Sequence, residues 1–134
     1  MKRQPGEPLR RSAAQLVEEA DQQVTAIPVD DALALLDHPD WLVVDIRDPR
    51  EIAKLGTIPG AFRAPRGMLE FWVDPLSPYY KPALDDGRRL LLYCGSGWRS
   101  ALAAAALQDM GRDDVAHLAG GFTAWQEAGY AVEQ

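Results

Sequence analysis

The 134-residue chain has one cysteine and two histidines. One thiol cannot close an intramolecular disulfide, and with two imidazoles it leaves a poor ligand inventory. Neither a disulfide framework nor a metal centre is expected. Long apolar runs are missing too: no stretch approaches the roughly 18 residues that a membrane span requires. The basic start, MKRQPGEPLRRSAAQLVEEADQQV, has no apolar core of signal-peptide length. Positive charge is scarce. Fourteen Lys and Arg against twenty Asp and Glu give a net charge of −6 and a pI of about 4.8. Broad attraction to nucleic acid or to an acidic membrane is therefore not expected, although a local basic pocket is compatible with that balance. Internal repeats and low-complexity tracts are absent. A soluble, cytoplasmic protein with one main domain is expected.

What is present alternates between strand and helix patterns. Residues 1–10 read as an arm, with Pro5, Gly6 and Pro8 and few apolar anchors. Ser12 can cap a helix running to about Val24, in which Leu16, Val17, Ala20 and Val24 recur at spacings of three and four. This arm and extra helix (1–24) precede a main unit over 25–134. VTAIP then reads as a short strand and VDDALALLDH as a helix stopping near Pro39. WLVVDI (41–46) and RLLLYC (89–94) are continuous apolar runs, as expected for strands covered on both faces. DPREIAKLG carries an N-cap, Asp48, a first-turn Pro49 and a terminal Gly56. IPGAFRAP suggests a turn and a short strand, RGMLEFWVD a helix, and PLSPYYKPALDDG a proline-punctuated connection packed over the domain. A helix from about Ser100 to Met110, a strand VAHLA (115–119) and a short helix in GGFTAWQEAG complete the chain. This order implies an α/β layer with a parallel sheet.

The chemistry concentrates in CGSGWRS (94–100). Cys94 stands where a buried strand ends and a helix begins, the place where ligands bind in open α/β folds. Gly95 and Gly97 let the backbone curl so that N–H groups converge above the sulfur. The following helix start adds its positive dipole end, and Arg99 a fixed charge with a planar fork of donors. Together these favour a thiolate and can hold the oxygens of a small anion beside it, which points to a nucleophilic cysteine acting on an anionic substrate. The competing reading is a small buried thiol in a tight turn.

Loop length narrows the anion. Only Gly95, Ser96, Gly97 and Trp98 separate Cys94 from Arg99. A protein-tyrosine phosphatase loop has one residue more, wrapping a phosphoryl group. The smaller ring suits a cysteine carrying one extra sulfur atom.

YCGSGWRSALAAAALQDMG resembles the active-site loop and following helix of a single-domain rhodanese, of the thiosulfate sulfurtransferase family. VVDIRDPREIAKLGTIPGA (43–61) and LAGGFTAWQEAG (118–129) resemble the family's two other motifs. The likeness spans about residues 25–133 and assigns no role to the helix at 12–24. It implies a rhodanese-like five-stranded parallel sheet with helices on both faces. It also implies that Cys94 takes a sulfane sulfur from a small anionic donor such as thiosulfate, or from another persulfide donor. The Cys94 persulfide would then pass its outer sulfur to cyanide, a thiol or a protein acceptor. Amides of Gly95, Ser96, Gly97, Trp98 and Arg99, with the Arg99 guanidinium, would steady the persulfide. No metal or organic cofactor, nucleic acid or membrane is implied.

By the same resemblance Asp45 and Arg47 are structural, tying a strand end to neighbouring loops. Arg66 adds charge to the pocket rim or is an ordinary solvated arginine, and Trp98 walls the pocket or simply packs. Gly120, Gly121 and Trp125 fix a turn and fill the core. His117, in a strand, reads as a core or edge residue rather than a general base. Thr57 stands where many members have His. The single loop arginine, where efficient thiosulfate users often carry two basic residues, implies weak thiosulfate turnover. Two other functions compete: a rhodanese-like interaction or relay module with little turnover, and a small phosphatase or arsenate reductase.

Overall fold

The computed structural model describes residues 2–134. Five strands form one sheet: β1 (Thr25–Ile27), β2 (Trp41–Asp45), β3 (Phe62–Arg63), β4 (Arg89–Tyr93) and β5 (Val115–Leu118). Their order is β1-β5-β4-β2-β3, every pairing is parallel, and β4 is central. The helices are α1 (Ala13–Gln23), α2 (Val29–Leu33), α3 (Pro49–Leu55), α4 (Leu69–Val73), α5 (Trp98–Asp109) and α6 (Gly121–Glu127). Short 3₁₀ turns cover Arg66–Met68 and Pro82–Leu84.

Alternation along β2 and β4 divides the core. Leu42, Val44, Leu90 and Leu92 point to one face, where they meet Leu69 and Val73 of α4 and Ala103, Ala104 and Leu107 of α5. Val43, Leu91 and Tyr93 point to the other, against Ala32 of α2 and Phe122 and Trp125 of α6. Helices therefore cover both faces, and the continuous apolar runs of β2 and β4 reflect burial on both. Each such Leu or Val side chain contributes about 1.5–3 kcal/mol on burial.

The alanines of α5 have a second use. Val17 and Ala20 of α1 bury against Ala101, with Leu102 and Ala105 beside them, so α5 lies between the sheet and α1. Small side chains let both neighbours approach. The N-terminus of α1 is fixed by a capping box: Gln15 N–H donates to the Ser12 hydroxyl at 3.1 Å, and Ser12 N–H to Gln15 Oε1 at 2.7 Å.

Several boundaries differ from the sequence reading. The second helix ends at Leu33 and gives way to turns over 34–37 and 39–40, which bring the chain round into β2. RGMLEFWVD splits into a 3₁₀ turn and the shorter α4. The helix after the cysteine starts at Trp98, with Gly97 at φ 106° as its N-cap. That left-handed residue closes the loop early, so Trp98 and Arg99 belong to the first helical turn.

Candidate active site

Cys94 follows the last residue of β4 and is 1% exposed. Its carbonyl accepts from Phe122 N–H at 2.8 Å and that of Gly95 accepts from Thr123 N–H at 3.0 Å. The first turn of α6 thus ties down the carbonyls of Cys94 and Gly95. Gly121 permits this approach: at φ 61°, a Cβ there would lie 2.7 Å from the carbonyl oxygens of both Cys94 and Gly95. With the carbonyls engaged, Gly97 N–H turns inward and donates to Cys94 Sγ at 3.1 Å. Ser100 Oγ, two residues into α5, stands 3.5 Å from the same sulfur.

Arg99 is engaged. Its guanidinium donates two bonds to Glu51 of α3, at 2.7 and 3.0 Å, both side chains being part-exposed. The hydrogen bond to Glu51 is the largest influence holding the arginine charged, and the nearby Cys94 sulfur adds to it. In return Arg99 pulls the Glu51 carboxyl below its ordinary range. Glu51 also closes the capping box of α3 through Asp48. Sequence reasoning missed this carboxylate, because a partner 48 positions away is brought in by strand order alone.

Arg66 places its backbone at the end of β2, its N–H donating to Ile46 O at 3.0 Å. Its guanidinium pairs with Glu70 at 2.6 Å, and among the described residues no hydrogen bond joins it to the Cys94 loop. Trp98 is 53% exposed and, with Ser96 and Gly97, lines a cavity of ≈ 270 Å³ on the flank that also carries Asp21 and His117.

Asp45 and Arg47 lie beneath the site, fully buried and paired through two hydrogen bonds of 3.0 and 2.7 Å. Arg47 also donates to Gly56 O at 2.6 Å and lies over the Phe122 ring, 4.1 Å from its centroid. Burial opposes its charge, but the bonds and field of Asp45 outweigh that and keep it protonated. The Thr57 hydroxyl and Tyr93 OH reach Asp45 Oδ2 at 2.9 and 2.6 Å. Burial, then the Asp45 charge, pushes the Tyr93 phenol far up, so it stays a neutral donor. Thr57 thus joins a buried polar knot tying β2, β4 and the exit of α3. Such a knot fixes geometry and offers no reacting group to the loop.

His117 is 3% exposed on β5, and both ring nitrogens are engaged: Nδ1 with Ser100 Oγ at 2.9 Å and Nε2 with Asp21 Oδ1 at 3.0 Å. The core position matches the sequence reading, which found neither partner. The available signal was the histidine itself, since a buried imidazole in an apolar strand requires hydrogen-bond partners.

The family model of the Rhodanese-like domain matches residues 28–128, three quarters of the chain. The chain belongs to the rhodanese-like family. This rhodanese-like chain is 37% identical over 98 residues to a sulfurtransferase of Allochromatium vinosum, covering 73% of this chain and 83% of that protein. It is 31% identical over 102 residues to a thiosulfate sulfurtransferase of Pseudoalteromonas translucida, covering 76% and 89%. A solved structure from Rhodopseudomonas palustris superposes with a TM-score of 0.92 at 45% identity, covering 97% of this rhodanese-like chain and 100% of that one. That protein is described as of unknown function and a possible tyrosine phosphatase.

Proposed function

We propose that the protein is a sulfurtransferase that carries a sulfane sulfur on Cys94. The Cys94 thiolate attacks the outer sulfur of thiosulfate or of another persulfide donor. With thiosulfate, a new S–S bond forms as the bond to the sulfonate sulfur breaks, and sulfite departs with the bonding pair. The remaining Cys94–S–S⁻ is attacked at its outer sulfur by cyanide, a thiol or a protein thiol, which takes that sulfur and returns the Cys94 thiolate. Backbone donors of Gly95 through Arg99 steady the terminal sulfur, and Arg99 orients an anionic donor. The observation that carries this reading is the Gly97 N–H directed at Cys94 Sγ within a loop whose Cys94 and Gly95 carbonyls are bonded to α6. The sulfurtransferase relatives support it.

A second reading is favoured by one observation, the Rhodopseudomonas palustris relative's description as a possible tyrosine phosphatase. The four residues between Cys94 and Arg99 favour sulfur over a phosphoryl group. Intact mass after incubation with thiosulfate, then with cyanide, tests the first reading. The expected outcome is a gain of one sulfur, removed by cyanide and absent in Cys94→Ser. No gain with thiosulfate or with polysulfide would overturn it. Hydrolysis of a phosphate ester lost in Cys94→Ser would establish the second.

A further inference from the structure

A continuous hydrogen-bonded path leads from the Cys94 sulfur to the surface of α1: Sγ to Ser100 Oγ at 3.5 Å, Oγ to His117 Nδ1 at 2.9 Å, and Nε2 to Asp21 Oδ1 at 3.0 Å. Asp21 stands on the helix that lies outside the matched family segment. We infer that Ser100, His117 and Asp21 form a proton relay that takes the thiol proton from Cys94. The inference rests on the nucleophilic role proposed above for that cysteine.

Donor and acceptor roles along the path follow from the inventory of each group. The Asp21 carboxylate can only accept, so Nε2 carries the ring proton and Nδ1 of a neutral ring is the acceptor. Ser100 has one hydroxyl proton and two acceptors in reach, Nδ1 at 2.9 Å and Gly97 O at 3.4 Å. The shorter contact directs it to His117 and leaves an oxygen lone pair for the S–H. All donors then point the same way, from sulfur to carboxylate.

The step balances within the chain. The S–H bond breaks and its electron pair stays on sulfur. The proton joins Ser100 Oγ as the Ser100 proton joins Nδ1, giving a thiolate and an imidazolium. Ser100 touches the reacting atom and is a catalytic residue; His117 and Asp21 act through it as positioning residues. Burial lowers the proton affinity of the His117 ring, and Asp21 only partly offsets this, so the resting ring is neutral and free to accept. Asp21 on α1 is the charged group facing the ring. α5 presents Ser100, and the register neighbours on β1 and β4 are Ala26 and Leu92, which do not titrate. The cavity beside Trp98 is lined by Asp21 and His117, which connects this end of the path with solvent.

The test is the rate of Cys94 alkylation by iodoacetamide, followed by mass from pH 6 to about pH 10, which lies above the ordinary thiol range. Wild type is compared with Ser100→Ala, His117→Gln and Asp21→Asn. The relay requires that Ser100→Ala and His117→Gln react on the order of tenfold more slowly at pH 7 and converge with wild type at high pH, where hydroxide removes the proton. Asp21→Asn shows a smaller loss of the same shape. Profiles that superimpose on wild type overturn the relay, as does an equal loss at every pH, which reports access to the sulfur alone. If His117→Gln fails to fold, Asp21→Asn at the half-exposed end carries the same comparison. No sulfur donor takes part, so the readouts separate. A wild type that alkylates along this profile but gains no sulfur from thiosulfate or polysulfide sinks only the proposed function. Sulfur uptake with coincident alkylation profiles sinks only the relay.

Discussion

The Arg99 guanidinium meets a carboxylate before it meets any substrate. Glu51 occupies two of its donors, so an anionic sulfur donor must share or displace that contact and also approach a negative charge. Glu51→Gln removes the charge yet keeps the side-chain acceptor that a capping box requires. The expected outcome is a several-fold rise in kcat/KM for the thiosulfate dianion, read by sulfite release, with a smaller change for a singly charged persulfide donor, read by intact mass. Equal changes for both donors would assign Glu51 to the helix cap alone. The sequence showed the loop, its glycines and its arginine because they are contiguous. It hid Glu51 and the links of His117 to Ser100 and Asp21, since each of these contacts forms only after the strands have been ordered β1-β5-β4-β2-β3.

At the scale of elements, the site depends on α6 meeting the loop after β4. Gly121 is the point of contact, and two effects of a side chain there add. A φ of 61° costs an alanine about 1–2 kcal/mol, and its Cβ would overlap the Cys94 and Gly95 carbonyl oxygens. Gly121→Ala is expected to lower unfolding free energy by about 1–3 kcal/mol. It should reduce sulfur uptake by Cys94 beyond what that loss explains, because the carbonyls that orient Gly97 N–H are displaced. Urea unfolding and uptake rate measured on the same sample check this; an unchanged uptake rate would show that the loop holds its shape without α6. Strands β2 and β4 were legible as apolar runs, and α1 from its cap and spacing. The end of α2 and the start of α5 were not, because each is set by where the chain must turn and not by a change in residue type.

For the whole molecule, His117 links three layers: β5 that carries it, α5 through Ser100 and α1 through Asp21. The folded ring binds a proton less readily than an exposed one, chiefly through burial. An unfolded histidine titrates near roughly 6.5. Between that value and the lower folded one the unfolded state holds more protons, so stability falls as pH drops through this window and levels off below it. The slope is at most about 1.4 kcal/mol per pH unit. Urea unfolding at pH 7.5 and 5.5 should show wild type losing more stability than His117→Gln. Parallel losses would place the acid sensitivity in the carboxylates instead.

Cys94 is the chain's only thiol and is buried at the base of its own loop. On the proposed sulfur carriage, an atom loaded there meets no second thiol of this chain to resolve it into a disulfide. If Cys94 carries sulfur as proposed, unloading depends on an encounter with an external acceptor, and until then the loaded copy keeps a record that it has met a donor. On that proposal each copy would store one atom, so the loaded fraction of a population would read out the ratio of supply to demand.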